Sequence, residues 1–362
     1  MSQTIVNPKK GYRLSARSKF AWRIAQACVW LVGACILYCL LFYPRTGLLL
    51  FWNILIPVAP ALLVVFTGLW RNICPLATTN LLPRHVGLSK GKKLTAKQSG
   101  VLNLVGVIAL FAIVPLRHAI FNTSGVATAA LIITLVLAGI IPGLFYEWKS
   151  VWCSGLCPVH PVEKLYGGNV LMAVPNAHCT NCMNCVVPCP DSTVTTHPVS
   201  SGKTIYQRLS MFLITGGLPG FIWGWFQVHD EQKAGLNNLF VAVYKMPLIG
   251  LAFTMTVFLI SYAFINQKFE KKLVSFFAAA GVSCYYWYRI PALFGFGKTS
   301  AEGLLINLAG KLPLWGTELL AGAAGAFFFY WLVARKQNNK SWLLRPPFAI
   351  KKAQRLKPGV TI

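Results

Sequence analysis

Acidic residues are scarce in this chain. Only 8 Asp and Glu stand against 34 Lys and Arg in 362 residues, and charged residues of both signs make up 12%. A water-soluble domain carries about twice that charged fraction, so the chain as a whole is not a soluble globular enzyme. Histidine is also sparse, at 6, and none sits in the middle of an apolar stretch. With no Cys-x-x-Cys-His either, no haem ligation is compelling. There is no Gly-rich nucleotide loop, P-loop, heptad array or low-complexity segment. No nucleophile–base pair or carboxylate dyad is visible, which excludes hydrolase-type chemistry. The apolar stretches lack acids, which argues against an ion-coupled transporter.

What fills the chain is hydrophobic residue, at 56%, with 13% aromatic. Apolar runs recur at lengths near the ~20 residues that cross a bilayer. Eight spans are expected, at roughly 20–43, 47–69, 101–121, 126–146, 209–227, 241–265, 273–292 and 315–334. The seventh carries Arg289 and ends at Pro291, so it reads either as a span or as an interfacial or broken helix. The expected fold class is an all-α integral membrane protein with a small ferredoxin-like iron–sulfur loop domain. It divides into a four-helix membrane half (1–146), a cluster domain (147–208), a second four-helix half (209–334) and a basic tail (335–362).

The net charge of +26 suggests nucleic acid, but its distribution excludes that partner. The basic residues concentrate in the two tails and in alternate loops. Those outside are Arg45, Arg117, Lys233, Lys245, Arg289, Lys298 and Lys311. This is the positive-inside pattern. It places both termini and the cluster domain on the cytoplasmic side of a bacterial inner membrane. Lys90, Lys92, Lys93 and Lys97 then meet either anionic lipid headgroups or an acidic partner.

The most specific signal is CTNCMNCVVPCP, in which Cys179, Cys182, Cys185 and Cys189 have the spacing C-x2-C-x2-C-x3-C-P. Short gaps let three thiolates converge on one cubane cluster, while the fourth Cys, before Pro190, ligates another cluster in two-cluster ferredoxins. Of the 11 Cys, Cys74, Cys153 and Cys157 join these four near the expected cytoplasmic face. A reducing compartment favours metal ligation over disulfides there. The first half also repeats itself. Two spans followed by Cys-Pro occur twice, as GLWRNICPLATTNLLPRHVG and SVWCSGLCPVHPVEKLYG, and Cys74-Pro75 matches Cys157-Pro158. Proline after each Cys favours a helix end. The copies run parallel, an arrangement that often places a shared site between them. Trp70 stands where the second copy has Cys153.

These three elements together resemble the membrane-bound polyferredoxin proteins of the NosR/NapH type. The resemblance covers residues 20–200: WRNICP and WCSGLCPVHPVEKLYG are similar to the family's two C-x3-C-P elements, and CTNCMNCVVPCP to its cluster motif. Trp70 replaces one cysteine, many members carry a second four-cysteine run, and the flavin domain of the nitrous-oxide regulators is missing. The resemblance implies membrane electron transfer through [4Fe–4S] clusters, with quinol or a partner redox subunit at either end. The alternative is an iron–sulfur reductase that assists copper cofactor assembly.

Seven thiolates leave the number of clusters open. One cluster uses Cys179, Cys182, Cys185 and one further Cys. Two clusters need eight ligands, so a non-cysteine partner from His160, His178, His197 or Asp191 must complete them; each such His otherwise reads as a solvated loop residue. Lys149, Lys164, Lys203 and Arg208 are expected to favour a reduced cluster. Cys28, Cys35 and Cys39 share a helix face, either as soft ligands for Cu(I) or as small residues at a helix contact. Cys284 reads as packing, and Gly139, Gly143 and the 321–326 stretch as close helix contacts. Arg117 with His118, and His229 with Asp230 and Glu231, lie at the opposite face, as quinol proton acceptors or as interfacial residues.

Overall fold

A computed structural model describes residues 14–80, 82–92, 94–146, 151–167, 170–178, 204–228, 236–296, 304–309, 311, 313–336 and 343–344. The four-cysteine run, with His197, Asp191, Lys149 and Lys203, lies outside the described residues, as do His229, Asp230 and Glu231.

The described chain is a helical bundle with one two-residue ladder. Six helices are long and apolar enough to cross a membrane: Ala16–Phe42, Pro44–Val65, Ala96–Ile113, Gly125–Phe145, Val241–Phe264 and Leu314–Ala334. Their starts follow from the sequence. Ser15 accepts from the Ser18 amide at 3.1 Å, and Ser124 from Ala127 at 3.1 Å. Thr95 and Gln98 form a reciprocal capping box, satisfying amides that no helix carbonyl can reach.

The two remaining expected spans are helical but less apolar. One runs through Ile205–Phe212, Leu213–Gly217 and Leu218–Trp225; the other is Glu270–Leu293. Position accounts for the difference. Leu218, Pro219, Gly220, Phe221, Gly224 and Trp225 are all buried, and Glu270–Leu293 buries Val274, Phe277, Ala278, Ala279, Gly281, Val282 and Arg289. A helix that faces protein does not need the apolar surface of one that faces lipid. Val64, Val107, Ile214, Phe258, Phe277 and Phe328 make the main core around them. Glu270–Leu293 runs unbroken through Arg289, so the reading of a broken seventh helix does not hold.

Small residues set the closest approaches. Gly220 and Gly250 face each other so that a Cβ on either would strike the other's carbonyl oxygen. Gly139 lies against Trp152 and Asn80, and Gly143 against Asn80 and Pro83. Gly322 and Gly325 meet Trp287 and Ser283. The expected contacts at these positions are present.

The bundle has two polar ends. At one, the buried Gln26 side chain donates to the Asn72 carbonyl at 2.8 Å, and Val174 and Pro175 pair in parallel with Leu343 and Leu344. At the other, Trp52 donates to the Phe121 carbonyl at 3.0 Å. The N-terminal helix, the approach to the cysteine run and the tail segment 343–344 therefore share one end.

A Cβ on Gly106 would overlap the Leu156 carbonyl, a backbone atom that cannot rotate away. Gly106→Ala is expected to push the Trp152–Leu156 turn outward and to destabilise the protein by about 1–3 kcal/mol. Thermal unfolding of the detergent-solubilised variant checks this; an unchanged midpoint would show that the helix slides freely.

Candidate metal centre

Both Cys-Pro elements fold the same way. Helix Thr67–Ile73 stops at Cys74 (φ −54°, ψ 119°), and Pro75 opens helix Pro75–Asn80. The π-helical turn Trp152–Leu156 stops at Cys157 (φ −66°, ψ 111°), and Pro158 precedes helix Val159–Tyr166. Proline drives the residue before it out of the helical region, while its own fixed φ suits a helix start. Each Cys thus sits at a break between two helices. The copies differ in width. The Cys74 amide donates to Trp70, four residues back, at 2.9 Å; the Cys157 amide donates to Trp152, five residues back, at 2.8 Å.

These breaks bring Cys74, Cys153 and Cys157 into one cluster with Ala77, Leu135, Ala138, Trp152 and Leu156. Cys153 is 3% exposed. Burial pushes the Cys74 thiol up to about 11; Cys153 and Glu163 add to this, against the Ala77 amide and Arg71. Burial, then Glu163, Cys153 and Cys74, push Cys157 up as well. Cys74 and Cys157 are therefore thiols at neutral pH, and a metal bound there would have to displace their protons.

The cation facing them is Arg71, itself buried. Its Nε lies 2.9 Å from Glu163 Oε2, and its Nη2 lies 2.7 Å from His160 Nδ1. Burial pulls the guanidinium pKa down, but Glu163, then Cys153, Cys157 and Cys74, outweigh it and raise it. A guanidinium only donates, so His160 Nδ1 accepts and the ring proton is on Nε2. The His160–Glu163 separation of 3.7 Å is too long for a hydrogen bond.

Asn72, one residue further along that helix, is fully buried. Its Nδ2 donates to the Pro175 carbonyl at 2.8 Å, and its Oδ1 accepts from the Ala177 amide at 3.1 Å. Asn176 Oδ1 accepts from the His178 amide at 2.9 Å. The Cys74 helix thereby holds the segment that leads directly into Cys179.

Among the described residues, no three His, Cys, Asp or Glu side chains converge as the ligands of a single ion do. A cubane asks for something else: it spreads its ligands over four irons and takes soft thiolates. One buried and two half-buried cysteines, Cys153, Cys74 and Cys157, beside a buried cation are donors of that kind.

Several expectations need correction. His160 and His178 are not solvated: they are 4% and 0% exposed. Cys28 and Cys35 are exposed, so they are not at a helix contact within this chain, whereas Cys39 is half-buried where Gly47 approaches the first helix. Arg117 and His118 are buried rather than interfacial. The Arg117 guanidinium lies over the Trp52 and Trp225 rings, 4.8 and 5.2 Å from their centroids, and His118 Nε2 lies 3.1 Å from the Trp225 carbonyl. Arg289 joins that end, donating to the Trp52 carbonyl at 2.7 Å and to Asn53 at 2.9 Å. Arg71, Asn72 and Glu163 had no part in the expected site. Their signal is visible in WRNICP, where an Arg and an Asn interrupt an apolar helix just before a metal-type cysteine.

Comparison with protein-family models, curated proteins and solved structures finds no match to this chain.

Two outcomes follow from this geometry. Arg71→Met strands Glu163 in the interior, and breaking a buried pair costs about 3–5 kcal/mol. Its unfolding midpoint should fall well below that of Glu163→Gln, which keeps an acceptor for the guanidinium; equal midpoints would count against the pair. In metal-free, full-length protein, alkylation of Cys74 should be slow at pH 7 and rise about tenfold per pH unit toward pH 11, because only the thiolate reacts. A rate that levels off near pH 9 would show that the thiol is not held in this environment.

Proposed function

We propose that this protein is an electron-transfer subunit of a membrane redox complex. It holds one or two [4Fe–4S] clusters on the cytoplasmic side of a bacterial inner membrane, between a quinol or cytosolic donor and a partner redox protein. The observation that carries this reading is the meeting of Cys74, Cys153 and Cys157 around Arg71, with Asn72 holding the approach to Cys179. A bound cluster supplies one-electron transfer. The chain supplies the rest: thiolates from two helix breaks, a buried cation that offsets their charge, and apolar walls that exclude water. With the ferredoxin-like run of Cys179, Cys182, Cys185 and Cys189, seven thiolates serve the site. An eight-span topology, with Ile205–Trp225 and Glu270–Leu293 as interior spans, completes the proposal. The basic surface at Lys90 and Lys92 faces lipid headgroups or the partner subunit.

A second reading, assembly of a copper cofactor, is favoured by the outward-facing Cys28 and Cys35 on the first helix. Thiols on that surface are open to a partner in the membrane.

Full-length protein purified without oxygen should contain iron and acid-labile sulfide. It should develop the EPR signal of a reduced cluster when a quinol analogue or dithionite is added. About eight irons per chain are expected for two clusters, with Cys74→Ser losing about half. Protein free of iron–sulfur absorbance under these conditions would sink the proposal. A Cys35→Ser variant that abolishes copper delivery while electron transfer is untouched would favour the assembly role.

A further inference from the structure

We infer that the segment 82–92, folded against the end of helix Gly125–Phe145, binds one anionic phospholipid. The site does not depend on the cysteines; it needs only that this helix crosses the bilayer.

The end of a helix leaves its last carbonyls without helical partners. Here the loop supplies them. The Lys90 amide donates to the Leu144 carbonyl at 2.8 Å, and the Lys92 amide to the Phe145 carbonyl at 3.0 Å. The Ser89 hydroxyl donates to the Tyr146 carbonyl at 3.3 Å. Gly87 and Gly91 make the turns, with φ of 73° and 63°, values that favour glycine. Helix Leu82–His85 packs alongside, with Pro83 against Gly143. The backbone of Lys90 and Lys92 is therefore clipped to the helix end.

Both lysine side chains are exposed. Lys90 Nζ lies 5.3 Å from the centre of the Phe145 ring, within cation–π range. Among the described residues, no carboxylate pairs with either lysine. Two cations fixed side by side at a membrane boundary call for an anion.

The surroundings decide which anion. Ile133, Leu137, Ile141 and Phe145 recur at four-residue steps and are all exposed. They form an outward row along a helix long and apolar enough to span the membrane, and the row ends at the ring beside Lys90. Leu82, Val86 and Leu88, on the loop that packs against this helix end, are exposed as well. A phospholipid fits both parts at once: its phosphate reaches Lys90 and Lys92, and an acyl chain lies along the row. An acidic soluble protein would have to cover Leu82, Val86 and Leu88 with apolar surface of its own. A zwitterionic lipid brings a cation to the same place and gains less from the lysines.

The test is native mass spectrometry of the full-length protein in detergent, titrated with phosphatidylglycerol or with phosphatidylcholine of the same acyl chains. Wild type should retain one phosphatidylglycerol in preference to phosphatidylcholine. Lys90→Gln with Lys92→Gln should reduce that preference by about tenfold or more, since each juxtamembrane lysine is worth roughly fivefold. Lys90→Arg with Lys92→Arg should preserve it. Both positions are exposed, so neither exchange threatens the fold. Lys271→Gln with Lys272→Gln removes the same charge from exposed positions on another helix and should leave the preference unchanged. Inorganic phosphate should not displace the lipid. Equal retention of the two lipids overturns the inference and leaves the lysines to an acidic partner. An equal loss in the Lys271 and Lys272 variant reduces the effect to general rim charge, and displacement by phosphate removes the apolar row from the site. Either of these overturns it as well.

Discussion

The contact between Arg71 and Glu163 governs the arrangement at the cysteine end. A guanidinium and a carboxylate that are both nearly inaccessible to water survive only together. One comes from the helix before Cys74 and the other from the helix after Cys157. Satisfying that pair forces the two Cys-Pro breaks to meet. The thiols inherit their proximity from it, and His160 inherits its tautomer. The pair also explains why Arg71 is an arginine: a lysine would bring one point charge, whereas the planar fork reaches His160 and Glu163 at once.

A second economy lies in how the bundle spends its apolar residues. The helices rich in Leu, Ile and Val show much of their surface to the outside, whereas those carrying Gly, Pro, Thr and Arg289 lie within. Arg289 is tolerated because the Trp52 carbonyl and Asn53 receive its donors. Each end of the bundle thus keeps a buried cation fixed by hydrogen bonds. The core between them is mostly apolar and aromatic, with Asn103 and Thr215 among the buried residues of its helices.

Six of the spans were legible because length and hydropathy are local properties. So were the repeat and the helix breaks, since the effect of Pro75 and Pro158 on the residue before them is steric and local. The burial of His160, Arg117 and His118 was not legible. In a one-dimensional reading, a polar residue beside an apolar run looks interfacial, and only the fold reveals that a second helix covers it. The same limit hid Asn72, whose partners lie more than 100 residues away in sequence, at Pro175 and Ala177. The outward orientation of Cys28 and Cys35 depends on which face of the first helix the bundle uses, and a helix apolar all round does not announce that face.

The short parallel pairing of Val174 and Pro175 with Leu343 and Leu344 bears on the order of events during biosynthesis. The approach to Cys179 is braced by strand partners that are made long after it. The helical segments from Ile205 to Ala334 must all leave the ribosome between the two halves of that ladder. Asn72 can take up its side of the segment early, but the brace closes only once Leu343 and Leu344 have been made. A truncated protein would present the same thiols on a segment secured from one side alone.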